Sequence, residues 1–224
     1  MSWYYKNKRN LPWRKTKNPY YIWISEVILQ QTKIKQGIPY YKKFISQYPK
    51  LKSLAQTKEE NVLKLWQGLG YYGRARNLHF TSKLILKKYK GIFPSSYDEL
   101  IKLKGIGDYT ASAIGSMAFD LPLAAIDGNI FRFFSRYFGI KKSIDNSKSL
   151  KYFKNKSIKL MYKQSPGDYN QALMEFGSEI CKPRNPYCQK CIFKKNCYAF
   201  NLNKIHEFPV RKKNRRKKTK RFLN

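Results

Sequence analysis

Acidic residues are scarce in this sequence. Only 13 of its 224 residues are Asp or Glu, against 47 Lys and Arg, so the formal net charge is +34. So strong an imbalance favours a polyanionic partner, and nucleic acid is the most common one. One alternative stays open, because the chain is rich in Lys, Ile, Asn, Tyr and Phe, as a chain from an AT-rich genome would be. Part of the basicity would then be compositional drift.

Long apolar runs are also missing. No stretch approaches the roughly 20 consecutive apolar residues that a membrane-spanning helix needs. The first ten residues, MSWYYKNKRN, lack the apolar centre and cleavage site of a signal peptide. We therefore expect no membrane association and a cytoplasmic, nucleoid-associated location. The hydrophobic content of 42% is still ample for a globular core, as one large domain or two small ones.

Cysteines are few, and all four fall in one short loop: Cys181, Cys188, Cys191 and Cys197, with the spacing C-x6-C-x2-C-x5-C. In a secreted chain they would suit two disulfides, but nothing indicates secretion. Four clustered thiolates in a reducing compartment instead predict a metal site. Zinc and iron–sulfur clusters both accept four thiolates, so the spacing alone leaves the metal open, with zinc slightly favoured.

The period-2 alternation of β-strands is absent as well. Apolar residues recur with helical periodicity in segments separated by short breaks rich in Gly, Pro, Ser or Asn. Helices are predicted over residues 21–32, 34–47, 59–67, 74–89, 97–103, 108–118, 129–138, 147–163 and 168–180. The predicted fold class is therefore all-α.

Composition shifts beyond Phe200. From Arg211 to Arg221, nine of eleven residues are basic and none is acidic. Such blocks are typically solvated and disordered, so residues 201–224 are predicted to form a disordered basic tail. A nonspecific contact of this tail with DNA is the functional alternative.

The segment Leu103–Asn129 has the clearest local organisation. Gly105-Ile106-Gly107 predicts a tight turn whose glycines let the backbone approach another molecule closely. The residues from Tyr109-Thr110 onward predict a helix, and the unpaired N–H groups at its start form a ready site for a phosphate. After a break at Pro122, Asp127 stands between an apolar run and another predicted helix. Taken alone, Asp127 is most simply an N-cap residue.

These motifs carry a family resemblance. Leu103–Ala111 (LKGIGDYTA), followed by Asp127-Gly128-Asn129, resembles the helix-hairpin-helix DNA glycosylase superfamily. Three further stretches are similar to its adenine DNA glycosylase branch: Leu11–Arg14 (LPWR), Ser25–Thr32 (SEVILQQT) and Gly68–Leu78 (GLGYYGRARNL). The cysteine spacing is the fifth match. Together the matches run from about residue 10 to residue 200 in the order of the family.

The resemblance implies a helix-hairpin-helix DNA glycosylase fold of two helical domains. The six-helix domain would span residues 21–127, and residues 1–20 with 128–200 would form the domain that carries the cysteine loop. This loop is similar to the [4Fe–4S] loop of the family, so the resemblance implies a structural [4Fe–4S] cluster. Relatives commonly continue into a further domain that recognises oxidised guanine, which this sequence is expected to lack.

The implied activity is that of a monofunctional, monomeric glycosylase of base excision repair, acting on double-stranded DNA with A·8-oxoG or A·G mispairs. Glu26, among apolar residues, is expected to have a raised pKa and to protonate the departing adenine. Asp127, kept ionised by a helix start, would stabilise the cationic sugar. Tyr109 stands where strand-cutting relatives carry a Schiff-base lysine, and would hydrogen-bond near Asp127. Asn129 would orient the leaving base or the catalytic water.

Other matching positions are expected to contact the DNA or the flipped base. They comprise two wedge residues that fill the gap in the duplex, three hairpin residues and three residues of the base-pocket wall: Gln31 and Tyr71; Gly105, Gly107 and Thr110; Trp13, Arg14 and Leu29.

Two alternative functions stay open. A thymine glycosylase acting on G·T mismatches would share the hairpin, Asp127 and the cysteine loop, but Glu26 favours adenine. A non-catalytic helix-hairpin-helix module would use the hairpin only as a phosphate clamp. The joint presence of Glu26, Tyr109 and Asp127 favours an enzyme.

Overall fold

The computed structural model describes residues 1–143 and 145–211. Within them the secondary structure is helical with no β-strand, which confirms the all-α prediction. The described chain forms α1 (Ser2–Asn7), α2 (Pro19–Leu29), α3 (Ile34–Gln47), α4 (Leu51–Gln56), α5 (Glu59–Trp66), α6 (Gly73–Lys88), α7 (Tyr97–Leu100), α8 (Asp108–Phe119), α9 (Gly128–Phe138), α10 (Ser147–Lys159), α11 (Pro166–Glu179) and α12 (Tyr198–Asn201). Short 3-10 turns lie at Pro12–Lys15, Cys188–Lys190, Lys194–Asn196 and Ile205–Glu207. No helix in these two ranges is long and apolar enough to cross a membrane.

Two six-residue helices, α1 and α4, were not predicted. Helices this short show too little apolar periodicity to stand out in a sequence, and they form because they pack. Tyr4 of α1 and Leu54 of α4 are buried. The helix predicted over residues 21–32 starts earlier and ends earlier. Asn18 caps it by accepting from the Tyr20 N–H at 3.0 Å, and Gln31 leaves it with a φ of 58°.

The buried apolar residues form two clusters. The first fills the space between α2 and α8 and includes Trp23 and Trp66. The second lies among α9, α10 and α11 and includes Phe153 and Phe176. The N-terminal segment divides between them, since Leu11 and Trp13 belong to the first cluster and Trp3 packs on the second. The domain boundaries stay a prediction.

Helix α2 is the centre of the fold. Its residues from Ile22 to Ile28 are all buried, because α3 and α8 pack against it. Helix α11 packs in turn on α8 and on α9. The start of α9 therefore comes to lie beside the middle of α2, although the two are about one hundred residues apart in sequence.

The chain beyond residue 200 is folded as far as it is described. The Phe208 side chain is buried, and its carbonyl accepts a hydrogen bond from Arg136 Nε of α9 at 3.2 Å. The predicted disordered tail is thus wrong for residues 201–211, because an apolar residue and a backbone carbonyl attach this segment to α9. Residues 212–224, the rest of the predicted tail, lie outside the described residues.

Candidate active site

A cavity of about 320 Å³ opens between α2, α8, α9 and α11. It brings together every residue predicted for catalysis or for the base-pocket wall: Glu26, Tyr109, Asp127 and Asn129; Trp13, Arg14 and Leu29. These positions span more than one hundred residues of sequence. Their convergence in one cavity is the product of tertiary packing.

Glu26 is a buried carboxyl on the central helix. Burial raises its pKa to about 7, a hydrogen bond with Tyr109 partly opposes the rise, and the charge of Asp127 adds to it. The direction agrees with the expectation from the apolar segment around it. A carboxyl with this pKa remains substantially protonated near neutral pH, so it is able to act as an acid.

Asp127 is the N-cap of α9. One carboxylate oxygen accepts from the Ile130 N–H at 2.8 Å, and the other accepts from Asn129 Nδ2 at 2.6 Å. Burial nevertheless raises the pKa of Asp127 above its ordinary value, against the lowering effect of these hydrogen bonds and of Arg132. The prediction that the helix start keeps Asp127 ionised took no account of this burial, and the capping hydrogen bonds act in the predicted direction.

Tyr109 is buried close to both carboxyl groups. Its hydroxyl donates to Sδ of Met174 at 3.7 Å, and it lies near enough to Glu26 for each group to shift the pKa of the other. Asp127 acts on the pKa of Tyr109 through its charge, and the hydrogen bond expected near Asp127 stays a prediction. Burial raises the pKa of Tyr109 well above its usual range, so the phenol stays neutral.

Asn129 is held at both ends of its amide. Its Nδ2 donates to Asp127, and its Oδ1 accepts from Arg132 Nη2 at 2.8 Å. Arg132 also donates to the carbonyls of Gly177 at 2.6 Å and Cys181 at 2.7 Å. A Cβ on Gly177 would lie 2.6 Å from the Asn129 Cβ, so only glycine permits this approach of α11. Asn129 therefore orients the Asp127 carboxylate.

A third carboxyl in the cavity wall, Glu175 of α11, was not predicted. It is fully buried and accepts from Arg9 Nε at 2.8 Å and from Arg14 Nη2 at 2.7 Å. Burial raises its pKa, but the bonds from Arg9 and Arg14 outweigh burial and bring it to about 2. The available sequence signal for Glu175 was an acidic residue among the apolar residues of a helix, the same pattern from which Glu26 was predicted. Its partners lie more than 160 residues away.

The predicted DNA-contacting residues lie on turns outside the cavity. Gln31 and Tyr71 both adopt left-handed backbone conformations, with φ of 58° and 48°, and Tyr71 is 66% exposed. Gly105 has a φ of 81° and lies against Asn77, which requires glycine. Gly107 is the N-cap of α8. The side chain of Thr110 is buried, so only its backbone N–H, in the first turn of α8, can face a phosphate.

Known proteins are similar to this chain in sequence and in fold. Residues 24–157 match the HhH-GPD superfamily of base excision DNA repair proteins. The chain belongs to the HhH-GPD superfamily.

Within the HhH-GPD superfamily, adenine DNA glycosylases are close in sequence. That of Buchnera aphidicola subsp. Acyrthosiphon pisum is 42% identical over 94% of this chain, and that of Homo sapiens is 36% identical over 89%. The chain spans 61% of the first protein's length and 38% of the second's. A solved thermostable thymine-DNA glycosylase is 29% identical, with a TM-score of 0.83 over 90% of this chain and 93% of that one.

The four cysteines of this HhH-GPD chain line one small apolar cavity of about 20 Å³ beside α9. All four are free thiols. Arg136 Nη1 lies 3.5 Å from Cys181 Sγ, and backbone N–H groups bond Cys191 and Cys197. Among the described residues, no three His, Cys, Asp or Glu side chains gather closely enough to hold a single metal ion.

Proposed function

We propose that this protein is a monofunctional DNA glycosylase that hydrolyses the N-glycosidic bond of adenine mispaired with 8-oxoguanine or guanine in double-stranded DNA. The observation that carries the proposal is the pair of carboxyl groups, Glu26 and Asp127, in one cavity with buried Tyr109. The identity of 42% to an adenine DNA glycosylase supports adenine as the base.

Glu26 is the proton donor in this proposal. Adenine is a poor leaving group as an anion, and protonation of its N7 lets it depart neutral. With a pKa of about 7, a substantial fraction of Glu26 carries a proton near neutral pH. Tyr109 lies beside this carboxyl group and shares the cavity with it.

Asp127 stabilises the sugar. As the bond breaks, the deoxyribose acquires oxocarbenium character, and a nearby carboxylate lowers the energy of that cation. The Ile130 N–H and the Asn129 amide favour the charged form of Asp127 and hold both of its oxygens in place. A water molecule then completes the hydrolysis on the sugar.

Tyr109 supports a reaction that stops at the abasic site. Strand cleavage by the lyase route needs an amine that forms an imine with the sugar, and a phenol cannot form one. The raised pKa of Tyr109 keeps it a neutral hydrogen-bonding group between two carboxyl groups.

The cavity wall supports recognition of a purine edge. The four hydrogen bonds that Glu175 accepts come from Arg9 and Arg14, and they use its oxygens fully. Glu175 therefore positions Arg14, which lines the cavity and whose remaining N–H groups would suit the ring nitrogens of adenine. Trp13 and Leu29 supply the apolar wall beside it.

A thymine glycosylase acting on G·T mismatches is the second candidate, because a thymine-DNA glycosylase has the same fold with a TM-score of 0.83. Duplexes with A·8-oxoG, A·G and T·G separate the two functions when each is incubated with the protein and then treated with alkali. We expect breaks at adenine in the first two duplexes, breaks only after alkali, and no adduct trapped by borohydride. Strand breaks at thymine alone would favour the second candidate. No strand break in any duplex would indicate a non-catalytic DNA-binding module.

We propose further that Cys181, Cys188, Cys191 and Cys197 hold a [4Fe–4S] cluster. The donor set fits, because four thiols line one apolar cavity, Arg136 donates to the sulfur of Cys181, and backbone N–H groups bond Cys191 and Cys197. Such a cluster would join the loop to α9 as a structural element. The basic residues around it would then present positive charge to a DNA backbone: Lys182, Arg184, Lys190, Lys194 and Lys195.

Iron analysis tests this assignment. Anaerobically purified protein is expected to be brown and to contain about four irons per chain, the content of one such cluster. Cys191→Ser should lose the colour and most of the iron, whereas Ser178→Ala, outside the loop, should keep both. One zinc and no iron per chain would contradict the assignment.

A further inference from the structure

Arg74, in the first turn of α6, makes an unusual set of contacts. The two terminal nitrogens of its guanidinium carry four N–H groups and lie within 3.2 Å of five backbone carbonyls, so at least one N–H is shared between two carbonyls. The buried Nε has no hydrogen-bond partner among the described residues. Nη1 donates to Val27 at 2.9 Å, Ile28 at 3.0 Å and Gln30 at 2.5 Å, and Nη2 donates to Leu69 and Gly70, both at 3.2 Å. One side chain thus ties the end of α2 to the turn before α6.

Each of the two segments presents a residue in a left-handed conformation. Gln31 follows the last bonded carbonyl of the first segment, and Tyr71 follows the last bonded carbonyl of the second. This conformation is unfavourable for residues with a Cβ and persists where the surroundings impose it. Arg74 binds the residue immediately before each of them, so it is placed to impose both conformations.

A simple helix cap does not account for this geometry. A cation at a helix C-terminus ordinarily bonds the last carbonyls of that one helix. Arg74 also bonds a second segment about forty residues further along the chain and lies over the rings of Trp66, at 5.2 Å, and Tyr71, at 5.7 Å. The planar fork of arginine makes this possible, and a lysine ammonium with three donors cannot reproduce it.

The two turns also adjoin the hairpin. A small cavity of about 30 Å³ is lined by Gln30, Arg74 and Asn77 together with Lys104 and Gly105. The glycine turn that is expected to contact phosphate is therefore packed against the same unit. DNA bound by the hairpin would therefore contact Gln31 and Tyr71 at fixed positions relative to the hairpin.

We propose that Arg74 is a positioning residue that holds Gln31 and Tyr71 as one rigid two-pronged element for opening the duplex. The inference rests on the proposed function, because a base must leave the stack before it can be excised. Two side chains that enter the stack together need their separation set beforehand, since ordering them during flipping would slow that step.

The test compares Arg74→Lys with Arg76→Lys, a matched change on the same helix at a side chain that is 60% exposed and paired with Glu59. Flipping is followed by the fluorescence of 2-aminopurine in the target position. Excision of adenine is measured separately under single-turnover conditions. Two duplexes are used, one fully paired around the target and one with mismatched neighbours that leave adenine already unstacked. Arg74→Lys is expected to slow flipping and excision in the paired duplex about 10- to 100-fold, as for a misplaced group. With the unstacked duplex, Arg74→Lys should change the excision rate less than about three-fold. Arg76→Lys should flip and excise at the wild-type rates with both duplexes.

If Arg74→Lys loses activity equally on both duplexes, Arg74 only stabilises the fold and the proposal is overturned. Flipping by Arg74→Lys at the wild-type rate would also overturn it.

A second measurement leaves Arg74 intact. If Gln31 and Tyr71 act as one element, Gln31→Ala with Tyr71→Ala should slow flipping little more than the stronger single variant, whereas additive losses would overturn the idea. If the wild type excises no adenine, the proposed function fails, and the flipping measurements still decide the role of Arg74.

Discussion

Replacing Glu26 with glutamine is expected to slow adenine excision about 10²- to 10⁴-fold, the usual contribution of a positioned general acid. Glutamine keeps the size and polarity of the side chain but has no acidic proton to give. The wild-type rate should itself fall as pH rises through about 7, because that pKa governs the protonated fraction of Glu26.

Single-turnover excision of A·8-oxoG duplex across pH 5 to 9 measures both effects. Glu59→Gln is the matched control, because Glu59 is a half-exposed glutamate that pairs with Arg76 at the surface. Its rate and pH profile should equal those of the wild type. Near-wild-type excision by Glu26→Gln would refute the assigned role.

The same substitution has a stability signature. The pKa of Glu26 is about 7 in the folded chain against an ordinary 4.5, so the folded state holds the proton more tightly than the unfolded state does. Stability is therefore lost as pH rises from about 4.5 to about 7, and above that the buried charge carries its full cost. At about 1.4 kcal/mol per pKa unit, the loss is on the order of 3 kcal/mol. Glu26→Gln should become more stable than the wild type across this window, as measured by denaturant unfolding.

Replacing Asp127 with asparagine should reduce excision by at least about 10²- to 10³-fold, the range for loss of one electrostatic stabiliser. Asparagine is as good an N-cap as aspartate, so α9 should keep its start and the protein its fold. Binding to the duplex should be little changed, because the phosphate contacts are expected at the hairpin and elsewhere.

Asp120→Asn is the control for this second substitution. Asp120 is exposed, pairs with Lys17 at 2.5 Å and has a φ of 53°, a conformation that asparagine tolerates well. The Asp120→Asn variant also loses one negative charge, but outside the cavity, so it should excise adenine at the wild-type rate. The rate of excision and the affinity for the duplex are both measured for each variant. Wild-type excision by Asp127→Asn would contradict the assigned role. A loss of binding as large as the loss of excision would contradict it too.

Predictions based on local sequence held where one segment contains the cause. The helices form where apolar residues repeat with helical spacing, and the apolar segment around Glu26 correctly predicts that its pKa is raised, although the burial itself comes from the packing of α3 and α8 on α2. Asp127 caps α9 because it directly precedes that helix. The superfamily was likewise predicted from motifs in short stretches of chain, and the match of residues 24–157 confirms it.

Predictions failed where a distant segment supplies the cause. Phe208 attaches the chain after residue 200 to α9, although the local composition there is that of a tail. Burial by neighbouring helices raises the pKa of Asp127, an effect that its position before a helix does not predict. The Tyr109 hydroxyl donates to Met174 of α11, a contact that the local sequence does not indicate.

The sequence by itself determined the helical class, the superfamily and the residue types available for catalysis, because periodicity, capping and motif spacing act over a few turns of chain. Only the tertiary structure decided which of those groups meet. Arg14 finds Glu175 across 161 residues, and Arg74 joins two turns whose separation in sequence carries no local signal. The reason is physical: hydrogen bonds and desolvation depend on distances of a few ångströms in space, and packing of α2, α8, α9 and α11 sets those distances.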